Sequence, residues 1–228
     1  MLLRSRLALF SVVGALLSVC IGGCALLGSP PPLEPTIGLQ FSGLYANQTY
    51  TPSSNSDNQK SEFYGGLGFR YSAPICSRSM LWGEAWYTMR GSGTSQSSGI
   101  SSYTSKETFN FLSLDFLADY TLAECRSGRL YGMAGPGFNF FMSGTSQYTS
   151  TFNGMTQSAQ ADIKSDDVRK MSIDGIVGIG GNFHLTKSWA LYGDLRYDLG
   201  LSTITNSTSP VQVKNNAIQI GIGIEHIF

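Results

Sequence analysis

The sequence has little charge, few histidines and no nucleophile motif. Charged residues make up 13% of the 228-residue chain and the net charge is +0, so its electrostatics do not favour nucleic-acid binding. Only two histidines occur, His184 and His226, and no G-x-S-x-G sequence is present. A hydrolase needs a nucleophile, a base and an orienting group in one place. We therefore expect no enzymatic activity and assign no catalytic residue.

Cofactor and metal motifs are also missing. The cysteines form no C-x-x-C pair, and their spacing is not that of a metal site. The glycine-rich run from Gly175 to Gly181 continues within a predicted strand, whereas a nucleotide-binding loop leads from a strand into a helix. We expect these glycines to allow curvature and close packing, and we expect neither cofactor nor metal.

The N-terminus has the layout of an export signal. Arg4 and Arg6 precede an apolar run that ends at Val19, which is typical of a secretory signal peptide. The sequence Ile21-Gly22-Gly23-Cys24 resembles a lipobox, in which Cys24 would be lipidated; the alternative is cleavage nearby by the ordinary signal peptidase. We assign residues 1–24 to the signal, 25–35 to a Pro-rich extended tether and 36–228 to the folded domain.

The last stretch of the chain alternates strictly between two kinds of residue. Isoleucines occupy every second position from Ile218 to Ile224, and the positions between them are Gln219, Gly221 and Gly223. A period of two indicates a strand with one apolar side and one small or polar side. The glycine and glutamine side is too wet for a dry core, and the chain ends on the aromatic Phe228. This ending resembles the assembly signal of bacterial outer-membrane β-barrels.

Seven earlier segments alternate in a similar way, and their connections are long and short in turn. No stretch after the N-terminus has the ~18 uninterrupted apolar residues of a membrane-spanning helix. Ser92–Ser105 and Ser143–Asp167 are predicted as long polar loops. The eight predicted strands are Thr36–Tyr45, Phe63–Tyr71, Leu81–Gly91, Thr108–Tyr120, Leu130–Met142, Met171–Leu185, Trp189–Leu201 and Asn216–Phe228.

These features predict an all-β protein, an eight-stranded antiparallel up-and-down transmembrane β-barrel in a bacterial outer membrane. An even strand number, with short periplasmic turns and long outer loops, is typical of such barrels. Tyr71, Tyr120, Tyr131 and Trp189 fall near strand ends, as interfacial aromatic girdles would. The alternative is a soluble, lipocalin-like barrel that binds an apolar ligand, with the isoleucines inside.

Four segments carry a resemblance to a known family, the PorT-type small outer-membrane β-barrels. They are Gly83-Glu84-Ala85-Trp86-Tyr87-Thr88-Met89-Arg90-Gly91, Tyr131-Gly132-Met133-Ala134-Gly135-Pro136, Asp174-Gly175-Ile176-Val177-Gly178-Ile179-Gly180 and Leu195-Arg196-Tyr197-Asp198-Leu199-Gly200-Leu201. The similarity runs from about Gly38 to Phe228 and implies the barrel architecture. The named member of the family is tied to protein secretion and gliding machinery, so the resemblance implies envelope or secretion proteins as partners. The lipobox-like sequence and the two turn cysteines depart from the family pattern.

The inward face of the predicted strands gathers ten charged residues. An eight-stranded barrel is only wide enough for side chains to fill it, and buried charges must pair, so we predict a lumen charge network rather than an ion path. Its members are Arg70, Glu84, Arg90, Asp115, Asp119, Asp174, Asp194, Arg196, Asp198 and Glu225.

Two function classes remain open from the sequence. One is a structural or interaction protein, which contacts outer-membrane lipids, uses the assembly machinery through its C-terminal strand and docks envelope or secretion proteins through its loops. The other is a narrow channel for small solutes. Cys76 and Cys125 lie in short turns at one rim, and the periplasm is oxidising, so a disulfide between them is predicted.

Overall fold

The protein, described from a computed structural model, is built from strands. The structure describes residues 33–51, 59–165, 168–205 and 212–228, and within them no helix is long and apolar enough to cross a membrane. The strands are β1 Thr36–Thr51, β2 Gln59–Lys60, β3 Glu62–Cys76, β4 Ser79–Ser98, β5 Ser101–Cys125, β6 Gly128–Phe152, β7 Met155–Asp162, β8 Met171–His184, β9 Trp189–Gly200 and β10 Gln212–Ile227.

Eight of these strands close into a ring in which every neighbouring pair is antiparallel. β1 pairs with β3 and the order continues through β4, β5, β6, β8 and β9 to β10, which pairs back onto β1. Paired residues followed once round the ring from Ala73 on β3 return to β3 at Phe63, ten residues away. This stagger tilts the strands, as a closed barrel requires. The predicted fold is therefore confirmed.

The outer surface of the barrel is apolar. Ile218, Ile222 and Ile224 lie on it, and Ile222 is 59% exposed, while Gln219 and Glu225 on the opposite side of β10 are buried. The soluble-barrel alternative required these isoleucines to face inward, so it is excluded. Tyr71, Tyr120 and Trp189 are also exposed near the short-turn end, where interfacial aromatic rings are expected.

Tyr131 does not belong to this aromatic girdle. Its side chain is 0% exposed and packs edge-on against Trp82 inside the barrel, with the ring centroids 4.9 Å apart. β6 begins at Gly128 rather than Leu130, and its alternation places Tyr131 on the inward side with Met133. The prediction of an interfacial role for Tyr131 is wrong because it used only nearness to a strand end.

The two long polar segments predicted as loops are mostly strand. β4 and β5 continue to a two-residue turn at Gly99 and Ile100, and β6 and β7 meet at Asn153-Gly154, where both residues have positive φ. Asn-Gly with this backbone is the preferred two-residue hairpin turn. Beyond the barrel wall the strands form a four-stranded sheet, here called the extension sheet, made of residues 92–98, 101–108, 145–152 and 155–162.

Inward-facing glycines lie opposite the largest inward side chains. A Cβ atom on Gly68 would lie 2.4 Å from the ring of Trp86, its cross-strand partner, and one on Gly180 would lie 2.6 Å from the ring of Tyr131. Gly223 has the same relation to Tyr192, at 2.5 Å. These glycines leave the space that the aromatic rings occupy, so the lumen is filled rather than empty.

Substituting one of these glycines should destabilise the barrel. We expect Gly68→Ala to lower the free energy of unfolding by roughly 1–3 kcal/mol, since the new methyl group overpacks a buried site. The matched control is Gly83→Ala on the outer surface, where a Cβ meets nothing within 4 Å and a change within about 0.5 kcal/mol is expected. Urea unfolding in lipid vesicles measures both, and equal midpoints for the two variants would contradict the packing described.

Candidate functional site

The lumen collects all ten charged residues named from the sequence. Each is buried, and the most exposed, Asp194, has an exposed fraction of 5%. Nine of them form ion pairs. The pairs fall into three groups along the barrel: an inner group near the short turns, a middle group, and an outer group near the long connections.

Arg196 is the centre of the middle group. Its Nη2 donates to Glu84 Oε1 at 2.9 Å and to Asp194 Oδ2 at 2.8 Å, and its Nε donates to Asp194 Oδ1 at 2.9 Å. Its Nη1 donates to the other oxygen of Glu84, which also accepts a hydrogen bond from Trp86 Nε1 at 3.0 Å. Two carboxylates thus grip one guanidinium on both sides, an arrangement that suits the planar fork of arginine.

Arg90 organises the outer group. Its Nη1 donates to Asp174 Oδ2 at 2.5 Å and its Nη2 donates to Asp198 Oδ2 at 2.9 Å. Asn139 Nδ2 donates to Asp174 Oδ2 at 2.8 Å, and the Ser113 hydroxyl donates to the side-chain oxygen Oδ1 of Asn139 at 2.6 Å. These bonds join side chains from five strands, β4, β5, β6, β8 and β9, across the lumen.

Arg70 and Glu225 form one ion pair of the inner group. Arg70 Nη2 lies 2.5 Å from Glu225 Oε2, and the guanidinium lies between the rings of Trp82 and Tyr192, 4.1 Å and 3.5 Å from their centroids. Asn182 Nδ2 donates to the second Glu225 oxygen at 3.0 Å. Cation–π contacts gain strength when both partners are desolvated, as they are here.

Sequence reasoning missed Arg129. Its Nη2 lies 2.8 Å from Asp119 Oδ2, and its guanidinium lies 4.8 Å from the centroid of the Tyr131 ring. The predicted strand began at Leu130, one residue too late. Extending the alternation of Tyr131 and Met133 back by one step would have placed Arg129 on the inward face.

Asp115 is the predicted lumen residue that the structure does not pair. Its carboxylate is buried above Gly137, where an added Cβ would lie 2.7 Å from Oδ1, and it makes no ion pair with a described residue. The described buried side chains comprise seven carboxylates and four guanidinium groups, so the acidic groups outnumber the cationic groups by three. The network is therefore not balanced one to one.

Apolar clusters lie at both ends of the charged lumen. The cluster toward the short turns consists of Met80, Trp82, Leu117, Tyr131, Met133 and Ile176. The cluster at the outer mouth consists of Phe109, Phe111, Val168, Ile204 and Val213, to which Phe141 and Ile163 add partly buried side chains. The lumen is thus filled by apolar side chains as well as by ion pairs.

Cys76 and Cys125 are not joined in the structure, which corrects the predicted disulfide. Cys76 pairs with Ser79, and Ser79 lies opposite Tyr120 on β5. Cys125 lies five residues further along β5, about 17 Å at ~3.4 Å per residue. A bridge spans Cα atoms less than ~7 Å apart. The buried Cys125 thiol instead contacts the Ser127 hydroxyl at 3.2 Å and the Gly128 carbonyl at 3.5 Å.

The two ends of the chain differ in what the structure describes. Cys24, the predicted lipidation site, and the signal peptide lie outside the described residues. Phe228 is 66% exposed at the short-turn rim, and its backbone N–H donates to the Pro35 carbonyl at 3.2 Å. The C-terminal aromatic therefore lies where β10 closes onto the start of β1. Among the described residues, no group of three or more His, Cys, Asp or Glu side chains could hold a metal ion.

The closed antiparallel ring, the apolar outer surface and the polar, filled interior define a transmembrane β-barrel of the outer-membrane class. Residues 33–206 match the family described as "Outer membrane protein beta-barrel domain". The chain belongs to this family, and its place is the bacterial outer membrane. A comparison with curated proteins finds no match.

Several solved structures resemble the chain at low sequence identity. OprG from Pseudomonas aeruginosa is 10% identical with a TM-score of 0.49, and the match covers 87% of this chain and 98% of OprG. Neisserial surface protein A is 12% identical with a TM-score of 0.46, covering 84% and 97%. Ail, the attachment invasion locus protein of Yersinia pestis, is 13% identical with a TM-score of 0.40, covering 85% and 99%.

Removing the central arginine of the middle group should destabilise the folded barrel. We expect Arg196→Leu to lower the free energy of unfolding by roughly 3–5 kcal/mol, because Glu84 and Asp194 would be left buried without their cation. The matched control is Lys106→Leu, which removes a half-exposed ion pair with Glu62 (3.4 Å) and should cost ~0–1 kcal/mol. An unchanged urea midpoint for Arg196→Leu would contradict a buried network.

The two cysteines should not be joined to each other. In barrel folded without reductant, mass spectrometry of the digested protein should find no peptide that joins Cys76 to Cys125, because the strand register holds them apart. In the folded barrel we expect Cys76 to react first with a maleimide, since it is exposed and Cys125 is buried. Hydrogen bonds from the Arg78 backbone and the Ser79 side chain also lower the pKa of the Cys76 thiol, which favours the reactive thiolate. A Cys76–Cys125 cross-linked peptide would contradict the register.

Proposed function

We propose that this barrel is a non-enzymatic interaction protein that binds a partner outside the outer membrane through the extension sheet. The observation that carries the proposal is strand length. β5 and β6 each have 25 residues, whereas β9 has 12. A membrane-spanning strand needs about 9–11 residues. The extra residues lie at the end with the long connections, which is the outer end in barrels of this class.

The filled lumen supports an interaction role over a channel. A channel needs a continuous column of water, but the cross-section of this barrel is occupied by the three ion-pair groups and by apolar side chains at both ends. Eight strands leave an interior that side chains can fill. A narrow channel would conduct ions through the lumen, and the filled interior argues against such conductance.

A narrower form of the proposal comes from the resemblance to PorT-type barrels. Under it, the partner is an envelope or secretion protein docked through the outer connections. The route to the membrane that we propose uses residues 1–24 as the export signal, with Cys24 as the candidate lipidation site. The barrel assembly machinery then recognises β10 and the terminal Phe228, whose exposure at the rim is compatible with this role.

Shortening the extension sheet tests the proposal without touching the lumen. Thr94 is paired with Ser105, and Gln147 is paired with Gln160, so replacing residues 95–104 and 148–159 each by Asn-Gly leaves two closed hairpins. Cells carrying the full or the shortened barrel are cross-linked, and protein and carbohydrate are measured on the purified barrels. We expect the shortened barrel to lose the cross-linked partner and to keep its heat-modifiable migration on gels.

Two results would overturn this assignment. One is equal cross-linking to the full and shortened barrels, since the partner would then bind elsewhere. The other is a steady conductance of the full barrel in planar bilayers that changes in Arg196→Leu, since solute would then pass the lumen. The Lys106→Leu variant, which alters a charge outside the lumen, is the control for the conductance measurement.

A further inference from the structure

The far part of the extension sheet carries no charge. Residues 91–105 and 143–161 contain no Asp, Glu, Lys or Arg. Charge returns only at the base of the sheet, where Lys106 lies 3.4 Å from Glu62. Binding to phosphates, nucleic acid or acidic polymers depends on clustered cations. A surface without them favours a neutral partner.

The two faces of the extension sheet differ in chemistry. On the face that continues the outer surface of the barrel, polar side chains pair with each other across β6 and β7: Thr149 with Ser158 at 3.1 Å, and Thr151 with Thr156 at 3.0 Å. Gln147 donates to Gln160 on the same face at 3.4 Å. On this face the polar groups named on β6 and β7 therefore already have partners.

The opposite face continues the lumen side of the strands and carries the exposed rings. Tyr103 lies on the same side of β5 as the buried Phe109, and Tyr148 and Phe152 lie opposite Ser105 and Ser101 on that side. Directly opposed residues of an antiparallel pair share a face. Met155, opposite Phe152, completes the set. We call Tyr103, Tyr148, Phe152 and Met155 the aromatic face; they are 41%, 37%, 54% and 71% exposed.

The two tyrosines form one surface. Their ring centroids lie 6.4 Å apart and the rings are inclined by 30°. No hydrogen bond joins either phenol hydroxyl to another described residue, so both can serve a ligand. Tyrosine combines a large apolar ring with a polar tip, and it is enriched in binding surfaces for that reason.

The size of this face suits a small ligand better than a folded protein. Four strands ~4.8 Å apart and about eight residues long at ~3.4 Å each cover on the order of 500 Å². A stable protein–protein interface takes about 800 Å² from each partner. A single extended ligand can be covered by the smaller area.

From these observations we propose that the aromatic face binds a neutral glycan. This inference rests on the proposed function and names the ligand class of the extension sheet. A sugar ring presents an apolar C–H face, which would pack on Tyr103 and Tyr148, and a rim of hydroxyl groups, which needs neutral donors and acceptors. The tyrosine hydroxyls, Ser150 and Gln157 lie on this face and can provide them. Nothing on the face would attract the carboxylates or sulfates of an acidic glycan.

The test uses the full-length barrel refolded in lipid nanodiscs. It is applied to an array of neutral hexasaccharides of the gluco-, manno- and galacto-series, together with heparin and hyaluronan hexasaccharides as the charged set. We expect binding to at least one neutral series, none to the charged set, and none by the barrel shortened at residues 95–104 and 148–159. Calorimetry then gives Kd for the bound sugar.

Point variants locate the site on the aromatic face. We expect Tyr103→Ala and Tyr148→Ala each to weaken binding about tenfold, as truncation of a central binding residue does. Tyr103→Phe keeps the ring and should stay within about threefold, which guards against a variant that merely disorders the strand. The matched control is Thr104→Ala, which changes the neighbouring residue on the opposite face and should leave Kd unchanged.

The outcomes separate this inference from the proposed function. Binding of charged glycans alone, or neutral binding that survives both tyrosine-to-alanine changes, overturns the glycan site. If no glycan binds but cross-linking captures a protein that depends on the extension sheet, the glycan site is overturned and the interaction role stands. If neither glycan nor protein depends on the extension sheet, both are overturned.

Discussion

Backbone hydrogen bonding across the closed ring is the constraint on which the rest of this structure depends. In lipid an unpaired N–H or C=O group costs several kcal/mol, so strands can cross only if every edge is paired. Here the last strand meets this requirement, because β10 pairs with β9 on one side and with β1 on the other. The chain ends one residue after that strand, at Phe228, where it contacts the start of the first strand. Closure therefore depends on pairing between the first and last strands of the ring.

The small circumference of the ring then determines what the interior can contain. The strands alternate, so half of their side chains must point into a space that eight strands enclose tightly. Glycines opposite Trp86, Tyr131 and Tyr192 provide the necessary volume. Nine of the ten predicted charged residues in this space form ion pairs, and every cation of the described lumen is an arginine. Arginine suits the site because its fork can bind two carboxylates at once, as Arg196 does with Glu84 and Asp194.

The alternation of the strands made most of the barrel readable from the sequence. It placed the isoleucines of β10 outside and ten charged residues inside, as the structure has them. Prediction from this alternation failed in two places, the extension sheet and the pairing of the cysteines. In the extension sheet both faces carry many serine and threonine residues, so apolar and polar positions do not alternate clearly. The Asn153-Gly154 sequence nevertheless indicates a hairpin turn. The Cys76–Cys125 pairing failed because the stagger between strands comes from closing the whole ring, and no local segment encodes it.

The structure divides its tasks among three surfaces, and this division narrows where a partner can bind. The outer wall is committed to lipid, because its exposed side chains are apolar where it crosses the membrane. The side chains of the interior contact one another through ion pairs and packed rings, so they are not available to a partner. The extension sheet is bound by neither requirement, since it stands beyond the membrane and carries no charge over most of its length. The side chains of Tyr103, Tyr148, Phe152 and Met155 remain 41%, 37%, 54% and 71% exposed on this sheet, so much of their apolar surface is not buried by its fold. The grouping of exposed rings on one face of this sheet is the feature on which the proposed binding surface rests.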